Sequence, residues 1–263
     1  MSDEFRASSS LSPIGPSAAS RTPPLLGMSV AMVCLLGLPV VAHASYIAPN
    51  LAAGSNYRLI FVTADTIQAT SSNEATYNNF ANSEAALNSS LPSTTWSAIT
   101  STEATSAITN IDAVCTTSAC LNAPIYLVDA TTLIATNQAA LFSGLLKTAI
   151  YETQSGATSN PYYVWTGSTS SGEIATGNAM GDSGPSVGLP SATNGTGQHP
   201  SIFSGSNFGA SFANPIYAIS GVLTVPASVP EPASAALLLT GLAGTGLVLR
   251  RRKQRPAASL GGA

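Results

Sequence analysis

Tyr57-Arg58-Leu59-Ile60-Phe61-Val62-Thr63 is short, apolar and rich in β-branched and aromatic residues. That composition predicts a strand. Working outward, Ser71-Ser72-Asn73-Glu74 offers a capping box, Ser71 with Glu74 three positions on. Behind it Tyr77, Phe80, Ala81, Ala85 and Leu87 fall on one helical face that ends before Pro92. Trp96-Ser97-Ala98-Ile99 reads as a short strand and Thr102–Ile108 as a second, shorter helix. Pro124-Ile125-Tyr126-Leu127-Val128-Asp129 and Tyr162-Tyr163-Val164-Trp165-Thr166-Gly167 read as strands, with a helical turn at Asn137–Phe142 between them, stopped at Gly144. Ser168–Ser211 is mostly Gly, Ser, Asn and Pro and reads as one long loop, and Pro215–Val225 is the closing strand. The order is that of an α+β fold, with an all-β sandwich as the alternative.

The two ends have a different character. Leu25–Val41 is apolar, with Arg6 and Arg21 ahead of it and Ala42-His43-Ala44 behind. A basic region, an apolar core and a small-x-small site predict that residues 1–44 are a signal peptide cleaved between Ala44 and Ser45, with an uncleaved anchor over Leu25–Val41 as the alternative. Cys34 follows the bulky Val33 inside the apolar core, which disfavours a lipoprotein site. At the other end Val229-Pro230-Glu231-Pro232 precedes an uncharged run, Ala233–Leu249, and then Arg250, Arg251 and Arg252 with Lys253 and Arg255. A helix over 233–249 would be about 25 Å long, near the short limit for a bilayer core. The prolines lack backbone N–H groups and end any structure arriving from upstream. The cationic cluster is expected to stay on the cytoplasmic side, with 256–263 as a cytoplasmic tail. Gly241, Ala243, Gly244 and Gly246 keep the middle of the run narrow, which suits close approach of another membrane helix.

Residues 229–255, read as breaker, apolar run and arginine cluster in that order, resemble the PEP-CTERM sorting domain of Gram-negative bacteria. The resemblance implies recognition by an exosortase, a membrane-embedded cysteine transpeptidase-like enzyme, and removal of the tail. It implies a transient membrane stage and a mature protein at the cell surface, in the exopolysaccharide or biofilm matrix, or secreted. It implies no particular role for the domain upstream, residues 45–228.

That domain has enough chain for one core, at about 185 residues. Its only basic residues are Arg58 and Lys147, against nine acids, a formal charge of 2 − 9 = −7. Nucleic acid recognition needs clustered cations, so it is excluded as a function class. Cys115 and Cys120 are the thiols that remain after leader removal. Their proximity and an oxidising destination favour a disulfide over a metal site, since two thiols without a nearby His make a poor zinc set. No metal or other cofactor is expected.

Ala139-Ala140-Leu141-Phe142-Ser143-Gly144, Val164-Trp165-Thr166-Gly167-Ser168 with Gly172, and the late Pro215–Val225 strand are similar to endostatin-type modules and their bacterial relatives, which belong to the C-type-lectin-like folds. The resemblance implies two helices on a twisted antiparallel sheet with a long loop region. The chain departs from those folds in lacking their stapling cysteines near both ends. The tripeptides Glu-Pro-Asn, Gln-Pro-Asp and Trp-Asn-Asp are also absent, so calcium-dependent sugar binding does not transfer.

No catalytic residue stands out. Gly181-Asp182-Ser183-Gly184-Pro185 resembles the nucleophile loop of chymotrypsin-like serine proteases, but His43 leaves with the leader and His199 alone remains, sixteen residues after Ser183. A polar turn is the plainer reading. Glu152, Glu173 and Asp182 could share a loop face, and a secreted hydrolase using such acids is the weakest of the functional alternatives. Tyr163 and Trp165, alternate residues of one strand, project to the same side. They are the candidate ligand contacts, with core packing as the competing fate. The expected function is structural or adhesive within the polysaccharide layer, with a carbohydrate- or protein-binding module as the alternative.

Overall fold

A computed structural model describes Tyr46 and residues 48–227. The leader, the sorting motif Val229–Pro232 with Arg250–Arg252, the 233–249 span and the tail all lie outside the described residues. Among the described residues, no helix is long and apolar enough to cross a membrane.

The arrangement is α+β. β1 (Asn56–Val62) is the centre of the main sheet and is buried along almost its whole length. Around it run β3 (Trp96–Ala98), β4 (Ile125–Leu127), β5 (Leu133–Ala135), β10 (Tyr217–Ser220) and β11 (Leu223–Thr224). The order is β3-β10-β1-β4-β5, with β11 on the start of β1. β10 and β11 lie antiparallel to β1, whereas β4 lies parallel to it, Leu59 opposite Tyr126. The sheet is therefore mixed, which corrects the antiparallel expectation. The parallel pair follows from the long connection through the helices between β1 and β4. Smaller ladders join β2 (Ile67–Gln68) to β9 (Ala213–Asn214), and β6 (Val164–Trp165) to β7 (Ser186–Gly188) and β8 (Ser206–Asn207).

Period-two alternation along β1 divides the core between the two sheet faces. Leu59 and Phe61 pack with Trp96, Trp165 and the buried face of α1 (Glu74–Ala86), namely Tyr77, Ala81 and Ala85. Ile60 and Val62 pack with Ala107 and Ile111 of α2 (Ala107–Asp112) and Leu141 of α4 (Gln138–Leu141). The helices rule out the all-β alternative. Between α2 and β4 lies the four-residue helix α3 (Ser118–Leu121), and the Cys115–Cys120 disulfide joins the ends of that excursion.

Several local expectations are corrected. The cap of α1 is Asn73, whose Oδ1 accepts from Ala75 N–H at 3.0 Å, and Ser71 Oγ accepts instead from Asn73 N–H. Glu74 is thus the first helical residue and turns inward. The second helix begins at Ala107, five residues later than expected, because Ser106 caps it by accepting from Thr109 N–H while Thr102 and Thr105 pair with each other. The closing strand breaks at Gly221-Val222, and Ser220 Oγ accepts the Leu59 N–H left over at the break. Residues 168–211 are not one open loop: they hold β7, β8 and the buried side chains of Met180, Val187, Ile202 and Phe203. Glycine permits this packing. A Cβ on Gly188 would sit 1.8 Å from the Ile202 carbonyl oxygen, and one on Gly167 (φ +59°) 2.4 Å from that of Ser101.

The outer edge of the sheet is closed by side chains. Asn82 Oδ1 accepts Trp96 N–H at 2.9 Å and its Nδ2 donates to Trp96 O. Asn78 Oδ1 accepts Ala98 N–H at 2.8 Å, and Asn110 Nδ2 donates to Ala98 O at 2.8 Å. Three asparagines thus stand in for a further strand and leave edge strand β3 little to offer a foreign chain. Glu74 joins this network through Thr100 Oγ1 and Asn110 Nδ2, while its Oε2 is buried without a partner.

Burial pushes the Glu74 carboxyl up to about 8 from its ordinary 4.5, against the lowering effect of the Thr100 hydrogen bond. A raised folded value stabilises fully below the unfolded value and is lost as pH rises through the folded one. The protein should therefore lose stability between about pH 4.5 and 8, at up to about 1.4 kcal/mol per pH unit. Urea unfolding across that range should show the slope in the wild type and a much flatter profile in Glu74→Gln.

Candidate functional site

β6 and the segment 205–214 build one aromatic surface. β6 is anchored from behind: Trp165 N–H donates to Pro215 O at 2.9 Å, and Trp165 Nε1 donates to Ile67 O at 3.0 Å. Trp165 is fully buried, which removes it as a ligand contact. Its ring belongs to the core beside Val187 and Ile216 because a large apolar ring with one donor is most stable where both are satisfied. Tyr163 projects to the same side but lies nearer the surface and is only half-buried.

Tyr163 has partners that the sequence reading missed. Its ring lies 4.7 Å from that of Phe208, which lies 4.7 Å from Phe212, and Tyr162 stands edge-on to Tyr163 at 4.6 Å. Tyr162 is 71 % exposed and Phe212 56 %. The backbone fixes this row. Phe208 N–H donates to Pro185 O, Ala210 N–H to Ser183 O, and Ala69 N–H to Ala210 O. Around the rings stand uncharged hydrogen-bonding side chains: Asn207 and Ser211 are exposed neighbours in the chain, and Gln68 Nε2 donates to Ser211 O at 2.8 Å. The signal for Phe208 and Phe212 was present in the sequence: two phenylalanines four apart in a Gly- and Ser-rich stretch need some packing partner.

The other candidates are scattered. Asp182 Oδ2 accepts Ala179 N–H at 2.8 Å, and the Ser183 carbonyl holds Ala210, so this string is a turn that supports the aromatic segment. His199 pairs through its backbone with Leu146, and its Nδ1 is buried without a partner. Glu173 is exposed in its own turn, and no hydrogen bond joins it to Glu152 or Asp182 among the described residues. Glu152 lies instead beside Asp129, whose N–H donates to Glu152 Oε2 at 3.0 Å. Burial, and then the Asp129 charge, raise the Glu152 carboxyl above its ordinary value. Burial also acts to raise Asp129, but hydrogen bonds from Thr132 and Thr131 outweigh it and hold that carboxylate low. Four donors occupy the two Asp129 oxygens. Asp129 is therefore the organiser of a turn, with little lone-pair capacity left for a substrate.

Among the described residues no group of three or more His, Cys, Asp or Glu is placed to hold a metal ion. No protein-family model matches this chain, and no curated protein matches it.

What the aromatic row can do chemically is stack. Exposed ring faces next to amides and hydroxyls suit a ligand that has an apolar C–H face and hydroxyl edges. The two ring types should separate cleanly on mutation. Trp165→Ala should cost about 3–5 kcal/mol in chemical denaturation. Tyr162→Ala should change stability by no more than about 0.5 kcal/mol.

Proposed function

We propose that this chain is the precursor of an exported surface or matrix protein, released from the membrane by an exosortase, whose domain adheres to neutral polysaccharide. The observation that carries the adhesive role is the aromatic row Tyr162, Tyr163, Phe208 and Phe212, exposed at Tyr162 and Phe212, with uncharged polar neighbours. The charge balance supports a neutral polymer over an anionic one. Of the described cations Arg58 is buried and Lys147 alone is exposed. An acidic polysaccharide would meet Asp65, Glu103, Glu173 and Asp182 with almost nothing to neutralise it.

The sorting half of the proposal rests on the sequence of residues 229–255 and on the leader at 1–44. The finer fold reading, a C-type-lectin-like module, is supported by the helices beside the central sheet and by the long excursion that leaves β6 and returns as β10. Its sugar contact would lie on the aromatic row and would use no calcium.

Two experiments test this. Affinity electrophoresis of the full chain through gels containing neutral glucans or galactans should show retardation. Tyr162→Ala with Phe212→Ala should lower it at least ten-fold, given about 1–1.5 kcal/mol for each lost ring contact. Equal mobility with and without polysaccharide would remove the adhesive reading. For sorting, substituting Pro230-Glu231-Pro232 in the producing cell should leave full-length protein in the membrane fraction. Undiminished release from that variant would sink the processing hypothesis.

A further inference from the structure

On the face of the sheet that carries α2 and α4, a cavity of about 490 Å³ opens between these helices and α3. That volume falls within the range of about 300–1,000 Å³ usual for small-molecule sites. Its apolar lining comes from Ile108, Leu121 and Phe142, and its polar lining from Asp112, Asn122, Asn137 and Gln138.

The polar side is ordered from beneath. The buried Arg58 donates from Nη1 to Gln138 Oε1 at 2.9 Å, and Gln138 Nε2 donates to Asp112 Oδ1 at 2.6 Å. This relay fixes the Gln138 amide, locks one carboxylate oxygen and leaves Asp112 Oδ2 without a hydrogen bond among the described residues. Asn137 uses its Oδ1 to cap α4, accepting from Ala140 N–H at 2.7 Å, and keeps its Nδ2 unused. The exposed Asn122 side-chain amide has no hydrogen-bond partner among the described residues. The cavity therefore presents a carboxylate acceptor, an amide donor and a complete free amide beside aliphatic and aromatic side chains.

The charge of the site decides the ligand class. The Asp112 carboxylate is linked through Gln138 to the buried Arg58 guanidinium, an opposite charge one side chain away, so the lining carries no net charge with which to select an ammonium or an anion. A neutral polyol ring meets the requirement. Each hydroxyl both donates and accepts, matching Asp112 Oδ2 and the amides, while its C–H face covers Ile108 and Leu121. We infer that the cavity between α2, α3 and α4, floored by the Arg58–Gln138–Asp112 relay, is a binding site for a single uncharged pyranose. The Cys115–Cys120 disulfide joins the connection after α2 to α3 itself, and so ties the Leu121–Asn122 segment to the chain just after Asp112. The inference stands on the cavity's own groups and not on the aromatic row.

The test is saturation-transfer NMR and calorimetry on the full chain in detergent, using methyl glucoside, galactoside and mannoside, with hexylamine as the charged comparison. At least one pyranoside should bind, with an affinity that is unchanged between low and high salt. Asn122→Ala, a change at an exposed side chain without internal bonds, should weaken binding at least ten-fold. Tyr162→Ala with Phe212→Ala should leave it unaltered. Binding by none of the three pyranosides overturns the inference, as does binding that survives Asn122→Ala or salt-sensitive binding of hexylamine alone. Pyranoside binding that disappears with the aromatic double variant assigns the sugar to the aromatic row and also overturns it.

Discussion

The burial of Arg58 in the central strand is the constraint around which the rest of the domain is arranged. A guanidinium removed from water is costly unless its donors are taken up. Here Nε is held by Ser220 O at 2.8 Å and Nη1 by Gln138 Oε1, while Nη2 has no partner. Burial lowers the group to about 10, with Asp112 acting in the opposite sense, so it remains charged at neutral pH. The acceptors come from β10 and α4, and the compensating carboxylate from α2. One side chain on β1 thus ties together elements that are 80 and 162 residues away along the chain. An aliphatic residue could fill the space without the desolvation cost, but it would place no directional demand on α4 or on the break between β10 and β11.

The same economy of directed polar groups runs through the structure. Edge strand β3 is closed by asparagines on α1 and α2 rather than by another strand. The leftover donor on Leu59 is taken by Ser220 Oγ, and the turn after β4 is organised by one aspartate. A chain with so few charges and so many Ser, Thr and Asn residues can satisfy its backbone this way because short polar side chains reach main-chain groups at little entropic cost. The surface then stays sparsely charged without exposing unpaired backbone.

Strands were legible wherever β-branched and aromatic residues run together, because burial on both faces of β1 leaves no polar alternation to confuse the reading. Helix starts were less so. Ser71 and Asn73 are both competent caps, and the choice between them depends on Glu74 finding Thr100 and Asn110 across the fold, which local pattern cannot foretell. Gly, Ser and Asn have weak propensities, so the local pattern of residues 168–211 carries no sign of order. Their order comes from contacts with distant backbone, such as Gly167 against Ser101 and Gly188 against Ile202. Trp165 and Tyr163 shared a face as alternation required, yet alternation says nothing of depth, and the Ile67 carbonyl waiting below drew only Trp165 inward. Phe208 and Phe212 were invisible as partners of Tyr163 because that contact spans the excursion between β6 and β9.

The composition and the proposed role can be related through salt. Adhesion driven by counterion release weakens steeply as ionic strength rises. A surface with one exposed cation and a row of aromatic rings cannot use that term, and on the proposed role its attraction to a neutral glycan would come from apolar contact and uncharged hydrogen bonds. Such a protein would hold its polymer equally well in dilute and in saline surroundings. On that role the sparse charge of the domain would be a working property of the surface, and few ion pairs can form with so few charges. Stability has to come instead from a two-faced apolar core and a dense set of backbone-directed hydrogen bonds, which is the arrangement that the buried Arg58 and the asparagine-closed edge display.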